Sequence, residues 1–137
     1  MEPKVEVKGL AEFNRGLRKI GSEAPKQLRV ALNGAAELLI TKTRPQIPSR
    51  SGKARGSLTA RSTRTSARVA VGGKRAGYYP WLDFGGQGRI KGRPAARPFI
   101  KGGRYLYPTL GKIRPAIIDE LDDAIRTVAR NAGLEVD

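Results

Sequence analysis

Residues 25–43 read Pro-Lys-Gln-Leu-Arg-Val-Ala-Leu-Asn-Gly-Ala-Ala-Glu-Leu-Leu-Ile-Thr-Lys-Thr and carry the clearest helical pattern in the chain. Apolar residues recur there at three- and four-residue steps, which places them on one face of a helix. That face consists of Leu28, Ala31, Leu32, Ala35, Ala36, Leu39 and Ile40. Its alanines allow a neighbouring element to approach closely, and Pro45 and Pro48 prevent the helix from continuing. We therefore predict a helix from Pro25 to about Thr43.

A shorter apolar stripe precedes this helix. It begins after Gly9 and is followed by Gly21, a common stop signal, and its members are Leu10, Phe13, Leu17 and Ile20. We predict a first helix that ends near Ile20, with Ser22 available to cap the second helix.

The segment after the long helix is rich in turn-forming and basic residues. Residues 44–56 contain two prolines, two glycines, four arginines or lysines and almost no apolar anchor, which predicts an exposed, mobile loop. In residues 57–66, apolar or small side chains then alternate with basic or polar ones, and residues 67–71 form a compact β-branched run. This pattern predicts a β-hairpin with its turn near Thr65-Ser66.

The second half of the chain combines an aromatic segment, glycines and a terminal helix. Residues 78–84 are predicted as an edge strand, where Pro80 is tolerated, and the six glycines of residues 85–103 predict a second long loop. A C-terminal helix begins at Pro108 or Pro115. Pro115 is favoured because the acids between Asp119 and Asp123 would then lie near the positive end of the helix dipole.

These elements predict one α+β domain spanning residues 1–137. Two N-terminal helices and one C-terminal helix pack on a small antiparallel β-sheet, and two long basic loops cover residues 44–56 and 85–103. The length is typical of a single hydrophobic core. The start of the chain lacks an apolar signal region, and no window approaches a membrane span, so we expect a protein made in the cytoplasm and not inserted in a membrane.

The charge is concentrated in the middle of the chain. The protein carries a net charge of +15, and residues 38–118 hold eighteen Lys or Arg against one acid, Asp83. A field of this kind attracts polyanions or acidic protein faces. Nucleic acid is one candidate partner, and a merely solvated basic surface is the plainer interpretation.

The residue types argue against an enzyme. The chain contains no cysteine and no histidine, so thiolate and imidazole chemistry are excluded, and Asp83 has no histidine to pair with. The acids at residues 119–123 fan around a helix instead of converging on a metal. The glycines at residues 85–88 lack the strand, Lys-Ser/Thr ending and helix of a phosphate-binding loop. We predict no catalytic residue, no metal and no cofactor.

The aromatic residues allow two interpretations. Tyr78, Tyr79, Trp81 and Phe84 interleave with basic residues as a base-stacking platform would. The favoured alternative is that half of them fill the core and the others line a subunit contact.

Three short motifs, taken in order, carry a resemblance to a known family. The first consists of Pro48, Gly52 and Ser57, the second of Tyr79, Leu82, Asp83, Phe84 and Gly85, and the third of Arg97, Pro98, Phe99 and Ile100. With the flanking helices they resemble the tail-component, or tail-completion, family of long-tailed siphophages, named after the tenth gene product of a lambdoid phage. The chain departs from that family at Arg50-Ser51, which replace Asp-Thr, at Gly86, which replaces Thr, and in a glycine-rich insertion before Arg97.

The resemblance implies a structural virion protein. Its members join head to tail as a ring between the head connector and the tail tube, which implies a neck location, self-association as a hexamer or dodecamer, contacts with neighbouring connector, terminator or tail tube proteins, and double-stranded DNA passing through the lumen. A tail terminator shares this size and habit and remains an alternative. A basic nucleic-acid-binding protein is an alternative of another class. Salt dependence separates the two classes, because the DNA affinity of such a protein would fall steeply as salt rises, whereas a connector should form a ring without DNA.

The site residues follow from these expectations. Trp81, Asp83 and Phe84 are predicted at a subunit contact, where the lone acid Asp83 pairs with an arginine of its own or of an adjacent subunit. Arg97 and Phe99 are predicted to anchor the second loop. Three basic residues of the first loop reach a neighbour, and three on the hairpin face DNA; they are Arg50, Lys53, Arg55, Arg61, Arg64 and Arg68.

Overall fold

The computed structural model describes residues 4–6, 9–49 and 51–134. Its helices are α1 (Leu10–Ile20), α2 (Glu23–Thr43), α3 (Lys53–Gly56), α4 (Tyr79–Phe84) and α5 (Leu106–Asn131). Its strands are β1 (Lys4–Glu6), β2 (Thr59–Ala60), β3 (Ser66–Ala70), β4 (Gly86–Ile90) and β5 (Arg93–Arg97). The mixture of helices with small antiparallel sheets confirms the predicted α+β class.

The long helix α2 is the centre of the fold. One side of it packs against β3 and β2, and α5 and α1 pack on its other sides. Its predicted apolar face is largely buried, with Leu28, Leu32 and Ile40 almost fully inaccessible to solvent. The predictions of α1 and α2 are therefore confirmed to within two residues, although Ile20 at the end of α1 is exposed.

The predicted hairpin is present and gains a third strand. β2 and β3 pair antiparallel, with Thr59 opposite Ala70, and β1 pairs with the other edge of β3 to give the order β1-β3-β2. The turn spans residues 61–65, close to its predicted position. The N-terminal strand was not predicted, because three residues of alternating charge carry no distinctive strand pattern.

The first basic loop is more structured than its composition predicts. Residues 44–46 form a single 3-10 turn, and α3 follows within the same segment. Ile47 and Ala54 are buried in the core, so the segment does have apolar anchors. A single isoleucine and a single alanine do not create a periodic pattern, which is why the sequence did not reveal them.

The predictions for the aromatic segment and the second loop were wrong in local structure. Residues 79–84 form a helix, because Pro80 occupies the first turn, where its missing N–H is harmless. Residues 86–97 form a β-hairpin, β4 with β5, joined by Lys91 and Gly92, which both have positive φ. Such a two-residue turn matches the twist of the strands it joins.

The C-terminal helix begins earlier than either proline suggested. α5 starts at Leu106 and contains Pro115 in its interior. A proline ring there faces the backbone of the residue four positions earlier, which is Gly111, and both residues are exposed. Asp119 consequently lies more than three turns past Leu106, at about 3.6 residues per turn, so the dipole does not explain the acids.

The buried apolar residues form one hydrophobic core. It joins the inner faces of α1, α2 and α5 to Val69 and Val71 of the sheet region and to Tyr79 of α4. Within the described ranges, no helix is both long enough and apolar enough to cross a membrane.

Candidate functional site

The most polar part of the interior surrounds Asp83 on α4. Its side chain is 0% exposed. One carboxylate oxygen accepts hydrogen bonds from the backbone N–H groups of Arg104 (2.6 Å) and Tyr105 (3.0 Å), and the other accepts from the Tyr79 hydroxyl (2.7 Å) and the N–H of Leu106 (3.4 Å). Asp83 therefore caps the N-terminus of α5 from another element, because the first N–H groups of a helix have no partner within it.

The Tyr79 phenol shares this buried environment. Tyr79 lies one helical turn before Asp83, so the two side chains meet on the same face of α4. Burial, together with the hydrogen bond to the Asp83 carboxylate, raises the pKa of Tyr79 far above its usual value. The phenol thus remains a neutral donor to a carboxylate that has no access to solvent.

The structure corrects the predicted role of Asp83. Its carboxylate is enclosed by its own chain and has no surface to offer a second subunit. An arginine is indeed its neighbour, but the Arg104 guanidinium donates to the Asp83 backbone carbonyl (2.9 Å) and to the Pro98 carbonyl, while the Arg104 backbone N–H donates to the carboxylate. The lone acid of the basic field holds a helix end.

The β4-β5 hairpin is attached to the same place through its two ends. At one end Gly85 has φ 84° and ψ −160°, and a Cβ there would lie 2.1 Å from the Pro98 carbonyl oxygen. Only glycine fits this conformation and this approach. At the other end the N–H of Ile100 donates to the Phe84 carbonyl (2.8 Å).

Trp81 and Arg97 pack against the hairpin. The Trp81 indole N–H is shared between the Gly86 and Ala95 carbonyls, at 3.2 Å each, and the Arg97 guanidinium carbon lies 5.6 Å from the centre of the Trp81 ring. Arg97 also donates to the Tyr105 hydroxyl (3.0 Å). Arg97, which was predicted to anchor the second loop, thus joins β5 to Tyr105 and Trp81. We call Tyr79, Trp81, Asp83, Arg97 and Arg104 the brace.

An exposed apolar patch lies beside the brace. Phe99 is 69% exposed, so it does not anchor the loop as predicted. Its neighbour Ile100 and Tyr107 of α5 are also exposed, and the Tyr107 ring lies 6.1 Å from the half-buried Phe84 ring. Of the residues predicted at a contact, Phe84 is half-buried and Phe99 is exposed, whereas Trp81 is engaged within its own chain.

The three basic residues of the first loop that were predicted to reach a neighbour differ in their surroundings. Arg50 lies outside the described residues, and Lys53 is exposed. Arg55 does not extend outward, because its guanidinium donates to the Ile47 carbonyl (2.6 Å) and the Pro45 carbonyl (3.3 Å) of its own segment. Arg55 therefore stabilises the conformation of the first loop.

A second candidate site is an open groove of about 750 Å³ between α1 and the turn that joins β2 to β3. Its walls are α1, Arg29 of α2 and the turn at residues 62–65, and its basic lining residues are Arg15, Arg18, Arg29 and Arg64. We call it the arginine groove. Of the three arginines predicted to face DNA, only Arg64 belongs to this lining; Arg61 is exposed elsewhere and Arg68 is half-buried on β3.

Sequence reasoning missed Arg104, Asn14 and the arginines of the two N-terminal helices. Arg104 directly follows two glycines and carried no motif, and Arg15, Arg18 and Arg29 lie outside the most basic segment. A helical projection places Arg15 and Arg18 on one side of α1 but does not show what faces them.

In the ranges the structure describes, no group of acids is arranged to hold a metal ion. No family model, no curated protein and no solved structure matches the chain significantly.

Proposed function

We propose that this protein is a structural virion component of a tailed phage, a head–tail joining or tail-completion subunit that assembles as a ring in the neck. The proposal rests on the motif resemblance and on one structural observation. The second and third motifs, separated by the eleven residues 86–96, meet in space at Gly85 and Pro98 and around Asp83.

The first motif has a comparable structural purpose. Gly52 has φ 78° and starts α3, and the buried Ser57 hydroxyl donates to the Ala54 carbonyl (2.7 Å) and accepts from the Gly72 N–H (2.9 Å). Gly52 and Ser57 therefore fix local backbone geometry, as Gly85 and Asp83 do in the second motif.

A ring subunit needs a rigid body and an exposed surface for its neighbour. The brace supplies rigidity, since its buried and partly buried hydrogen bonds tie α4, the hairpin and α5 together. The exposed residues Phe99, Ile100 and Tyr107 supply an apolar surface beside it. We propose that this patch contacts the adjacent subunit or ring.

The oligomeric state of the purified protein tests the proposal. Light scattering should give a discrete multiple of the 14.9 kDa chain, six or twelve copies in the proposed ring, in the absence of DNA. A Phe99→Ser variant should lose the ring while keeping its helical circular dichroism. Ile118→Ser, which removes an exposed apolar side chain from α5, is the matched control and should assemble normally.

Two outcomes would contradict the proposal. One is a monomer at every concentration and salt tested that forms only a salt-sensitive complex with DNA, which would favour the nucleic-acid-binding alternative. The other is a ring that Phe99→Ser and Ile118→Ser weaken equally, which would reject the patch as the contact.

A further inference from the structure

The arginine groove contains cations that the described chain does not neutralise. Arg15 lies 3.5 Å from Glu12, an exposed pair. Arg18, Arg29 and Arg64 have no hydrogen-bond or ion-pair partner among the residues described. Three guanidinium groups around one concave surface present many N–H donors and no acceptor, so the groove suits an anionic ligand.

The wall opposite α1 is held in a fixed shape. The Asn33 side chain on α2 accepts a hydrogen bond from the N–H of Ser62 (3.3 Å), which ties the start of the turn to the same helix that carries Arg29. The Thr63 hydroxyl accepts from the N–H groups of Thr65 (3.3 Å) and Ser66 (3.2 Å). Arg64 therefore lies in a turn that is stabilised by hydrogen bonds to the Thr63 side chain.

A buried acceptor in the same groove is independent of the charges. Asn14 lines the groove, is only 4% exposed, and has a side-chain oxygen with no donor among the described residues. Such an atom is rare in a folded protein, because a buried polar group without a partner is destabilising. A ligand that brings a hydrogen-bond donor as well as negative charge would satisfy this oxygen once a small side-chain movement uncovers it.

We propose that the arginine groove binds a segment of single-stranded nucleic acid. Backbone phosphates are purely acceptors and match the guanidinium groups, which bind phosphate in bidentate fashion. The amino or imino group of an unpaired base supplies the donor that the Asn14 oxygen lacks. Guanidinium planes of the lining also offer surfaces on which bases stack.

Two other anionic ligands fit the groove less well. A duplex presents its remaining base donors only inside its own grooves, so phosphates that contact the arginines would hold those donors away from Asn14. An acidic peptide alternates backbone donors with backbone carbonyls and so needs several acceptors, whereas the lining offers four cations and one orphan acceptor. The inference rests on the groove alone and does not depend on ring assembly or on the proposed function.

Fluorescence anisotropy with a labelled single strand of about 12 nucleotides, within the usual site size, tests the charges. The double variant Arg18→Ala/Arg29→Ala removes two phosphate contacts and should weaken binding by about tenfold or more. It should also reduce the salt slope by about 1.4, since each contact to a single strand contributes about 0.7. The matched control Arg114→Ala/Arg130→Ala removes two exposed arginines from α5 and should leave the affinity within about twofold. Equal weakening by both variants would mean that binding depends on the total charge of the protein and not on the groove, and would overturn the proposal.

Inorganic polyphosphate tests the acceptor, because it carries charge without hydrogen-bond donors. Wild type should prefer the oligonucleotide over polyphosphate of matched charge, and Asn14→Leu or Asn14→Ala should reduce that preference while polyphosphate binding persists; stacking of bases on the arginines accounts for what remains. Two variants are used because either substitution could disturb α1, and thermal melting identifies a variant whose fold is disturbed. An unchanged preference in a folded variant would refute the role of Asn14.

Competition identifies the ligand class. Single-stranded oligonucleotide should displace the probe more effectively than duplex of the same length, and poly-aspartate should compete weakly. Equal competition by poly-aspartate would reassign the groove to an acidic protein segment, and stronger competition by duplex would reject the single-stranded specificity.

Discussion

Arginine serves opposite purposes in the brace and in the arginine groove. In the brace, the guanidinium groups of Arg97 and Arg104 donate to a tyrosine hydroxyl and to backbone carbonyls, and Arg97 also lies over Trp81. In the groove, Arg18, Arg29 and Arg64 find no acceptor in the described part of the chain. The same side chain therefore stabilises the fold in one region and remains available for a ligand in the other.

The comparison also separates two meanings of a motif. The brace contains two residues that the sequence marks clearly, the lone acid Asp83 and Arg97 of the third motif, and their contacts are internal. The groove contains residues scattered over two helices and a turn, with no motif at all. Asp83 and Arg97 thus serve the architecture, and the arginines of the groove carry no sequence mark.

The largest expected effect is the loss of the Asp83 carboxylate. Asp83→Ala leaves the Tyr79 hydroxyl and three backbone N–H groups without their acceptor, which should cost about 4 kcal/mol or more in the free energy of unfolding. Urea unfolding followed by circular dichroism measures it. Asp119→Ala, an exposed acid on α5, is the control and should unfold like wild type. A stable Asp83→Ala protein that only fails to self-associate would restore the subunit-contact interpretation.

The attachment of the hairpin gives the next effect. Gly85→Ala places a methyl group against the Pro98 carbonyl and should cost about 3–4 kcal/mol, whereas Gly86→Ala meets no atom within 4 Å and should cost only the backbone strain of about 1–2 kcal/mol. Both glycines have positive φ, so the difference isolates the close approach. Equal melting temperatures for the two variants would mean that the hairpin is not held at this point.

The Tyr79 hydroxyl should reveal itself in alkaline stability. Tyr79→Phe should cost about 1.5–3 kcal/mol at neutral pH, the usual range for a hydrogen bond to a charged group. Because the folded-state pKa is raised, the contribution is fully present below the unfolded pKa of about 10 and is lost as the pH rises above it. The stability gap between wild type and Tyr79→Phe should therefore shrink above about pH 10, by about 1.4 kcal/mol per pH unit.

Urea unfolding at several pH values between neutral and strongly alkaline measures that gap. Tyr78→Phe removes an exposed hydroxyl and controls for the loss of a tyrosine as such. A gap that stays constant across this range would indicate that the buried phenol is not linked to folding.

The smallest effect belongs to the groove. Arg18→Ala and Arg29→Ala remove exposed side chains without partners in the described structure and should change the free energy of unfolding by less than about 0.5 kcal/mol each. Thermal melting of each variant beside Arg97→Ala measures the contrast directly. If either groove variant destabilises as much as Arg97→Ala, the division between structural and available arginines fails.

Periodicity predicted the parts of the fold that bury a continuous stripe. α1 and α2 follow directly from apolar residues at helical spacing, and the β2-β3 hairpin follows from alternation and flanking glycines. The β4-β5 hairpin escaped prediction because none of residues 86–89 and 93–97 is buried, so its glycine-rich composition resembles that of a loop. The early start of α5 escaped because Asp83, which accepts hydrogen bonds from the N–H groups of residues 104–106, is distant in sequence.

The sequence by itself determined the α+β class, the three main helices, the concentration of positive charge and the absence of cysteine and histidine chemistry. These properties are local or additive, since they depend on spacing within one element or on counting side chains. Only the tertiary structure decided that Asp83 caps α5 and that arginines from α1, α2 and a turn share one groove. Such contacts depend on how separate elements pack, and burial or hydrogen bonding between residues far apart in the chain leaves no periodic trace in the sequence.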